Sequence, residues 1–185
     1  MRSFGATHVG LVRKINEDSF YCQEKYEYSK PYICMIADGM GGHNAGEVAS
    51  TMAVTEVKGF LKKAIKNSVG YGIEDYENLV REAFLFANKC IYNSSMKNKE
   101  RLGMGTTLTL ALIVENNLII GHVGDSRMYI IKNGCLSKVT EDHSYVAELI
   151  KNGTIKPEEA NHHPQKNLIT RALGTSRTIE VDGKK

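Results

Sequence analysis

The sequence predicts an α+β fold in which helices cover antiparallel strands, and three observations lead to this prediction. Two short runs of aromatic and apolar residues near the amino terminus indicate a pair of strands. Two segments with apolar residues at three- and four-residue steps follow, and this spacing is typical of amphipathic helices. Turn signals then separate further apolar runs, as in antiparallel sheets. We therefore expect a layered domain with helices on an outer face of the strands.

The first two strands are expected at residues 19–23 and 32–37, with a polar segment between them. A long helix should begin at Asn44, because Glu47 follows three residues later in the spacing of an N-terminal cap. After a break that contains glycine, apolar residues across 79–91 predict a second helix. The two helices are expected to pack antiparallel to each other.

The second group of strands is expected at residues 107–114, 118–123 and 128–131. Asn133-Gly134 is a strong signal for a two-residue hairpin turn, which leads into a last strand near residue 136. Because each connection is short, we interpret these strands as a meander, in which every strand pairs with the next.

Length and composition indicate one ordinary globular domain that covers residues 1–185. The net charge of +3 is spread along the chain without a basic block, so nucleic-acid binding gains no support. The four cysteines form no C-x-x-C pair, which argues against a zinc or thiol redox motif and predicts free thiols. Neither a signal-like amino terminus nor an apolar stretch of membrane-spanning length is present, and we expect a cytoplasmic protein without membrane insertion.

Asp38 is the first candidate for chemistry, because it ends an apolar run and precedes three glycines within four residues. A glycine-rich loop admits a ligand close to the backbone, but an aspartate at its mouth repels a bare phosphate unless a cation lies between them. Glu17, Asp18 and Asp125 could converge on the same point from other strand ends. Taken singly, each of these acids is also compatible with ordinary turn chemistry or a solvated surface.

An ordered series of motifs runs through most of the chain. The motifs are G-L-V-R-K-I-N-E-D-S at 10–19, A-D-G-M-G-G-H at 37–43 followed by Gly46-Glu47, G-M-G-T-T at 103–107, G-H-V-G-D-S-R at 121–127, T-E-D-H-S at 140–144 and N-L-I-T-R-A-L-G at 167–174. This series resembles that of the metal-dependent protein serine/threonine phosphatases of the protein phosphatase 2C (PPM) family, in the compact bacterial form. The resemblance extends from about Gly5 to Asp182.

The resemblance implies a fold of two antiparallel sheets packed face to face between helix pairs, an αββα arrangement in four layers. The metal site would lie at one end of this sandwich, and residues 145–166 would form a flap beside it. The family pattern continues into a Ser-Asp-Gly segment and an Asp-Asn segment, each with a metal-binding aspartate, which this sequence does not contain. We therefore expect a truncated domain that lacks its C-terminal strands.

The resemblance also implies roles for individual residues. Asp38 would bridge two Mn²⁺ or Mg²⁺ ions and the Gly39 carbonyl would add an oxygen ligand, as suits hard cations. Glu17 and Asp18 would hold metal ions mainly through bound waters. Asp125 would help to bind a third, weaker metal ion.

Arg13 matches the family's phosphate-binding arginine, and a guanidinium group grips phosphate oxygens in a bidentate way. Together with Asp38 it forms the expected catalytic pair. The family's proposed general-acid histidine directly follows the Asp-Gly pair, where this chain has Met40. The same role is therefore not assigned to His43.

The function that the resemblance implies is hydrolysis of phosphoserine and phosphothreonine in proteins by a metal-activated water. The expected partners are phosphorylated proteins, including substrates of a serine/threonine protein kinase, and the expected state is a monomer. One alternative is a pseudophosphatase that binds phosphoproteins without turnover, because two metal-binding acids are missing. A nucleotide-binding module is the weaker alternative, since the G-x-G-x-x-G pattern read from Gly39 fails at Asn44.

Overall fold

The computed structural model describes residues 1–28, 30–41, 45–66 and 70–184. Within these ranges the chain forms strands and α-helices in the following order: β1 (Asp18–Cys22), β2 (Tyr32–Met40), α1 (Ala45–Ile65), α2 (Ile73–Lys97), β3 (Gly105–Thr106), β4 (Leu108–Val114), β5 (Asn117–Val123), β6 (Tyr129–Lys132), β7 (Cys135–Lys138), α3 (Tyr145–Lys151) and β8 (Asp182–Lys184). Short 3₁₀ helices occupy Lys99–Arg101 and Pro157–His162.

One six-stranded antiparallel sheet forms the centre of the structure. Its strands lie in the order β1-β2-β4-β5-β8, and the short β3 pairs with the end of β2. β1 and β2 are in a register that sets Asp18 opposite Asp38 and Cys22 opposite Cys34. The predicted pairing of the first two strands is therefore confirmed.

Helices α1 and α2 pack against each other and cover one face of this sheet. The strands alternate in burial: Met35 and Leu110 point into the helix-covered core, while Ile36 lies on the opposite face and is 45% exposed. Helix α2 lies close to β5 because Gly121 has no side chain. A Cβ there would lie 2.6 Å from Val80 Cγ1.

A separate two-stranded sheet is formed by β6 and β7, whose side chains are exposed. The predicted Asn133-Gly134 turn joins them, with both residues in the left-handed region at φ of 53° and 76°. The meander prediction is wrong at this point, because β5 pairs with β8 on its free side and β6 pairs with β7. The chain leaves the main sheet at Gly124, whose φ is +112°.

The α+β class with antiparallel sheets and a covering helix pair is confirmed. The cap predicted at Asn44 lies outside the described residues, and α1 is described from Ala45 onward. α3 and the following 3₁₀ helix occupy the region expected to form a flap. In the described ranges no helix has the length and apolar character needed to cross a membrane.

Candidate active site

Asp38 lies near the end of β2, and two threonines fix its backbone. Thr107 Oγ1 accepts a hydrogen bond from the Asp38 amide at 2.9 Å, and the Thr107 amide donates to the Asp38 carbonyl at 2.9 Å. The hydroxyl of Thr106 donates to the same carbonyl, also at 2.9 Å. Both threonines are fully buried, so the G-M-G-T-T motif serves as a rigid support for the aspartate.

Asp18 faces Asp38 across the β1–β2 ladder. The Gly39 amide donates to the Glu17 carbonyl at 3.0 Å, which marks residues 17 and 39 as a hydrogen-bonded pair. Pairs alternate along an antiparallel ladder, so Asp18 and Asp38 form a non-hydrogen-bonded pair, the type in which facing side chains lie closest. Two carboxylates therefore meet at one point on the open face of the sheet.

The pKa of Asp38 reflects this crowding. Partial loss of hydration, followed by the negative charges of Asp18 and Asp125, raises it from 3.8 to about 6, against an opposing effect of Arg13. Like charges this close disfavour the ionised form unless a cation neutralises them. The arrangement is therefore electrostatically suited to a positive ion.

Gly39 and Gly46 allow the first turn of α1 to lie against the end of β2. A Cβ on Gly39 would overlap the Gly46 carbonyl, and one on Gly46 would overlap the Glu17 carboxylate. The Glu17 side chain is only 17% exposed, so it is held between the strand and the helix. Any larger residue at these glycines would displace an acid of the candidate site.

Arg13 is a cation that lies close to these acids, since its charge lowers the pKa of Asp38. Its NH1 atom donates to Glu17 Oε2 at 3.1 Å, and its side chain is 74% exposed. An exposed pair of this kind contributes little to stability. The guanidinium group can therefore leave Glu17 and bind another anion with little loss of stability.

Asp125 lies in the turn after β5 and is close enough to Asp38 for its charge to raise the pKa of that carboxyl. The hydroxyls of Thr107 and Ser126 lie 2.8 Å apart, so the residue that fixes the Asp38 backbone also contacts the Asp125 turn. Gly124 packs so closely on Thr107 that a Cβ would lie 2.5 Å from the threonine side chain. The structure thus brings Asp18, Asp38 and Asp125 to one region, as predicted.

His143 holds the Asp125 turn, and sequence analysis did not assign it a role. Its amide donates to the Gly124 carbonyl at 2.8 Å, and its Nδ1 accepts from the Gly124 amide at 3.0 Å. The proton of the neutral ring is therefore on Nε2, which lies 3.1 Å from Asp182 Oδ2. Arg171 donates to the other oxygen of Asp182 at 2.7 Å.

His122 completes this buried network. Its Nε2 donates to the Glu141 carbonyl at 2.9 Å, and its Nδ1 lies 2.9 Å from Thr109 Oγ1. Burial, followed by the neighbouring His143, lowers its pKa. In the sequence, the only sign of this network was a histidine in each of the motifs G-H-V-G-D-S-R and T-E-D-H-S. The network could not be predicted, because these histidines contact residues that are distant in the sequence.

The donor set matches a hard divalent cation, since it consists of carboxylates and the Gly39 carbonyl. Among the described residues, however, no group of three or more His, Cys, Asp or Glu side chains could hold a metal ion by itself. Waters and further oxygen ligands would have to complete the shell. The residues therefore suit a cation that is bound partly through water. His43 and its neighbour Gly42 lie outside the described residues.

A cleft of about 810 Å³ opens beside Asp125, between the β6–β7 hairpin and α3. Its lining mixes cations such as Arg127, Lys138 and Lys166 with acids such as Asp142. Arg127 and Lys138 both pair with Asp142, at 2.6 and 3.2 Å. Asp142 therefore offsets the charge of two cations beside the acidic site.

Comparison with known proteins agrees with this geometry. The protein phosphatase 2C family profile matches residues 2–149. The serine/threonine phosphatase stp of Listeria welshimeri is 41% identical over 177 residues, which cover 95% of this chain and 68% of the Listeria protein.

Solved structures show the same fold. The serine/threonine phosphatase Stp1 from Staphylococcus aureus superposes with a TM-score of 0.82 at 37% identity, over 95% of this chain and 66% of that one. The catalytic domain of the phosphatase PstP, solved in complex with 2 manganese ions, gives a TM-score of 0.75 at 34% identity, over 95% and 68%. The chain spans about two thirds of the length of these relatives. On both sequence and structure, it belongs to the protein phosphatase 2C family of metal-dependent serine/threonine phosphatases.

Proposed function

We propose that this chain hydrolyses phosphoserine and phosphothreonine in proteins in a reaction that requires a divalent metal and depends on Asp38. The observation that carries the proposal is the meeting of Asp38 with Asp18 and Asp125. Partial loss of hydration, together with the charges of Asp18 and Asp125, raises the pKa of Asp38 to about 6. Such crowding is costly in the free protein and becomes favourable once a cation occupies the site.

Asp38 and the Gly39 carbonyl would bind the metal directly, and Glu17 and Asp18 would orient water around it. Asp125 would contribute to a third, weaker position. Two manganese ions in the related catalytic domain support two principal positions. When bound, Mn²⁺ or Mg²⁺ lowers the pKa of a coordinated water and offsets charge on the phosphoryl group.

Arg13 would orient the substrate. Its ion pair with Glu17 keeps the guanidinium group next to the acidic site while most of the side chain stays in water. A phosphate oxyanion carries more charge than one carboxylate oxygen and can accept two parallel hydrogen bonds. The substrate would therefore compete well with Glu17 for this side chain.

Phosphorylated proteins are the substrate class that family membership supports, with substrates of a serine/threonine protein kinase as the narrower proposal. Monomeric state, cytoplasmic location, and lack of nucleic-acid binding or membrane insertion stay predictions.

The test compares wild-type protein with Asp38→Asn in Mn²⁺-dependent hydrolysis of a phosphothreonine peptide. The substitution removes charge at nearly constant volume, and we expect a loss of at least about 100-fold in kcat/KM. Asp75→Asn is the matched control, because Asp75 caps α2 through the Gly72 amide, away from the site. Circular dichroism checks folding. Wild-type turnover by the Asp38 variant would contradict the proposed role.

One observation favours a second candidate, a pseudophosphatase that binds phosphoproteins without turnover. The described carboxylates do not form a metal-binding group of three by themselves. The same assay separates the two functions, since a pseudophosphatase would bind the phosphopeptide in the presence of Mn²⁺ but release no phosphate.

A further inference from the structure

Cys22 and Cys34 face each other across strands β1 and β2. The Gln23 amide donates to the Ile33 carbonyl at 2.9 Å, so the next pair along the ladder, Cys22 with Cys34, is a non-hydrogen-bonded pair. Cα atoms in such pairs lie about 4.5 Å apart, which falls within the range of roughly 4.4 to 6.8 Å that a disulfide spans. A bond between the two sulfurs therefore requires no shift in register.

The two thiols already interact. Burial, together with a hydrogen bond and a charge interaction with Cys22, raises the pKa of Cys34 to about 11. Cys34 is therefore protonated near neutral pH and is a poor first nucleophile. Both cysteines are half-buried and all four in the chain are free.

Cys22 borders a cleft of about 710 Å³ between the β1–β2 hairpin and the end of α1. Lys58 and Lys62 line it, and their Nζ atoms lie 4.4 and 5.5 Å from the centroid of the Tyr21 ring. Within the described ranges, neither lysine forms an ion pair with a carboxylate. Tyr21 pairs with Met35 on the helix-covered face of the sheet, so these lysines lie on that face. The Cys22 and Cys34 side chains share the opposite face with Ile36, away from the helices.

We propose that Cys22 and Cys34 form a reversible redox pair, which a small disulfide such as oxidised glutathione converts into a cross-strand disulfide. The Cys22 thiolate attacks one sulfur of the reagent, forming a mixed disulfide and releasing one glutathione thiolate. Cys34 then loses its proton to solvent and attacks Cys22 Sγ, which releases the second glutathione thiolate. Two protein thiols are oxidised and one small disulfide is reduced to two thiols.

The other two cysteines provide internal controls. Cys135 is exposed on β7, where Lys132 is its cross-strand partner. Cys90 lies on α2, and burial and the charge of Glu56 raise its pKa. No cysteine lies opposite either residue in the strand pairings of the described chain. Each can form at most a mixed disulfide with the reagent or a bond to another molecule.

The experiment incubates the reduced protein with graded ratios of oxidised to reduced glutathione and counts thiols after denaturation. Cys90→Ser/Cys135→Ser protein should lose both remaining thiols together and stay monomeric. After tryptic digestion, mass spectrometry should find peptide 15–25 joined to peptide 26–58. Reduction with dithiothreitol should restore both thiols.

Single variants separate the two roles. Cys34→Ser should stop at a glutathione adduct on Cys22, whereas Cys22→Ser should react much more slowly, because Cys34 is protonated.

Thermal unfolding gives an independent readout. The oxidised protein should melt several degrees above the reduced one, because a disulfide restricts the unfolded chain. Separate adducts on both cysteines, or dimers linked through them, would overturn the proposal, and so would two thiols that persist at every ratio.

Discussion

Asp38 and Asp182 belong to strands of the same sheet, yet their surroundings shift their pKa values in opposite directions. Partial loss of hydration and the facing carboxylates both raise the pKa of Asp38, to about 6. Burial also tends to raise the pKa of Asp182, but hydrogen bonds from His143 and Arg171 outweigh this effect and lower it. Asp182 is neutralised by partners within the protein, whereas Asp38 would need a cation from solution. This difference separates a structural acid from a candidate metal ligand more clearly than burial does.

The largest effect on stability is expected from removing His143. His143→Ala leaves the buried Gly124 amide without its side-chain acceptor and Asp182 without one partner. We expect a loss of about 2 to 3 kcal/mol in the free energy of unfolding, measured by urea denaturation. His162→Ala is the control, since His162 is exposed in the 3₁₀ helix near the cleft. Equal stability of both variants would show that His143 does not stabilise the surroundings of Asp182.

Asp38→Asn should stabilise the metal-free protein at pH 7, by about 1 kcal/mol after allowance for solvent screening. The pKa of Asp38 is 3.8 in the reference state and about 6 in the folded protein, so the folded state holds more protons between these values. The free energy of unfolding of the wild-type protein should therefore fall between pH 4 and pH 6, as Asp38 ionises, and the difference from Asp38→Asn should stay constant above pH 6.

Urea denaturation with a chelator, between pH 4 and pH 8, measures this dependence. Asp182→Asn is the matched control with the opposite sign, because a lowered pKa contributes stability at neutral pH that is lost as pH falls through the folded-state pKa. If both substitutions stabilise the protein, or if neither does, the two pKa values are not shifted in opposite directions.

Arg13→Ala is expected to give the smallest change. Arg13 is the group that lowers the pKa of Asp38, so its removal should raise that pKa further. For a phosphothreonine peptide we expect KM to rise roughly three- to tenfold with a smaller change in kcat, because the contact exists in ground and transition states alike. Arg13→Lys should recover part of the loss. Unchanged KM with lower thermal stability would assign Arg13 a structural role.

Local signals in the sequence predicted much of the fold. The Asn133-Gly134 turn, the β1–β2 pair and both long helices follow from spacing over a few residues. The meander failed because the partner of β5 is β8, which lies some 60 residues further along the chain. The local pattern of apolar residues does not indicate which distant strand will pair with β5.

The candidate site divides in the same way. Motif order identified Asp18, Asp38 and Asp125, and the structure places them in one region. The support from His143 was missed, because it joins Gly124 to Asp182 across 19 and 39 residues. Likewise, the Cys22 and Cys34 thiols were predicted to be free, but their facing positions required the strand register.

Thr107 has a consequence for any attempt to transplant this site. Its hydroxyl contacts both the Asp38 amide and the Ser126 hydroxyl, so one side chain sets the spacing of two acidic segments. A two-stranded graft that carried Asp18 and Asp38 alone would lose this spacing. The smallest segment set that could be grafted therefore includes the start of β4 and the turn after β5. Thr107→Val would remove the hydroxyl that links the two acidic segments.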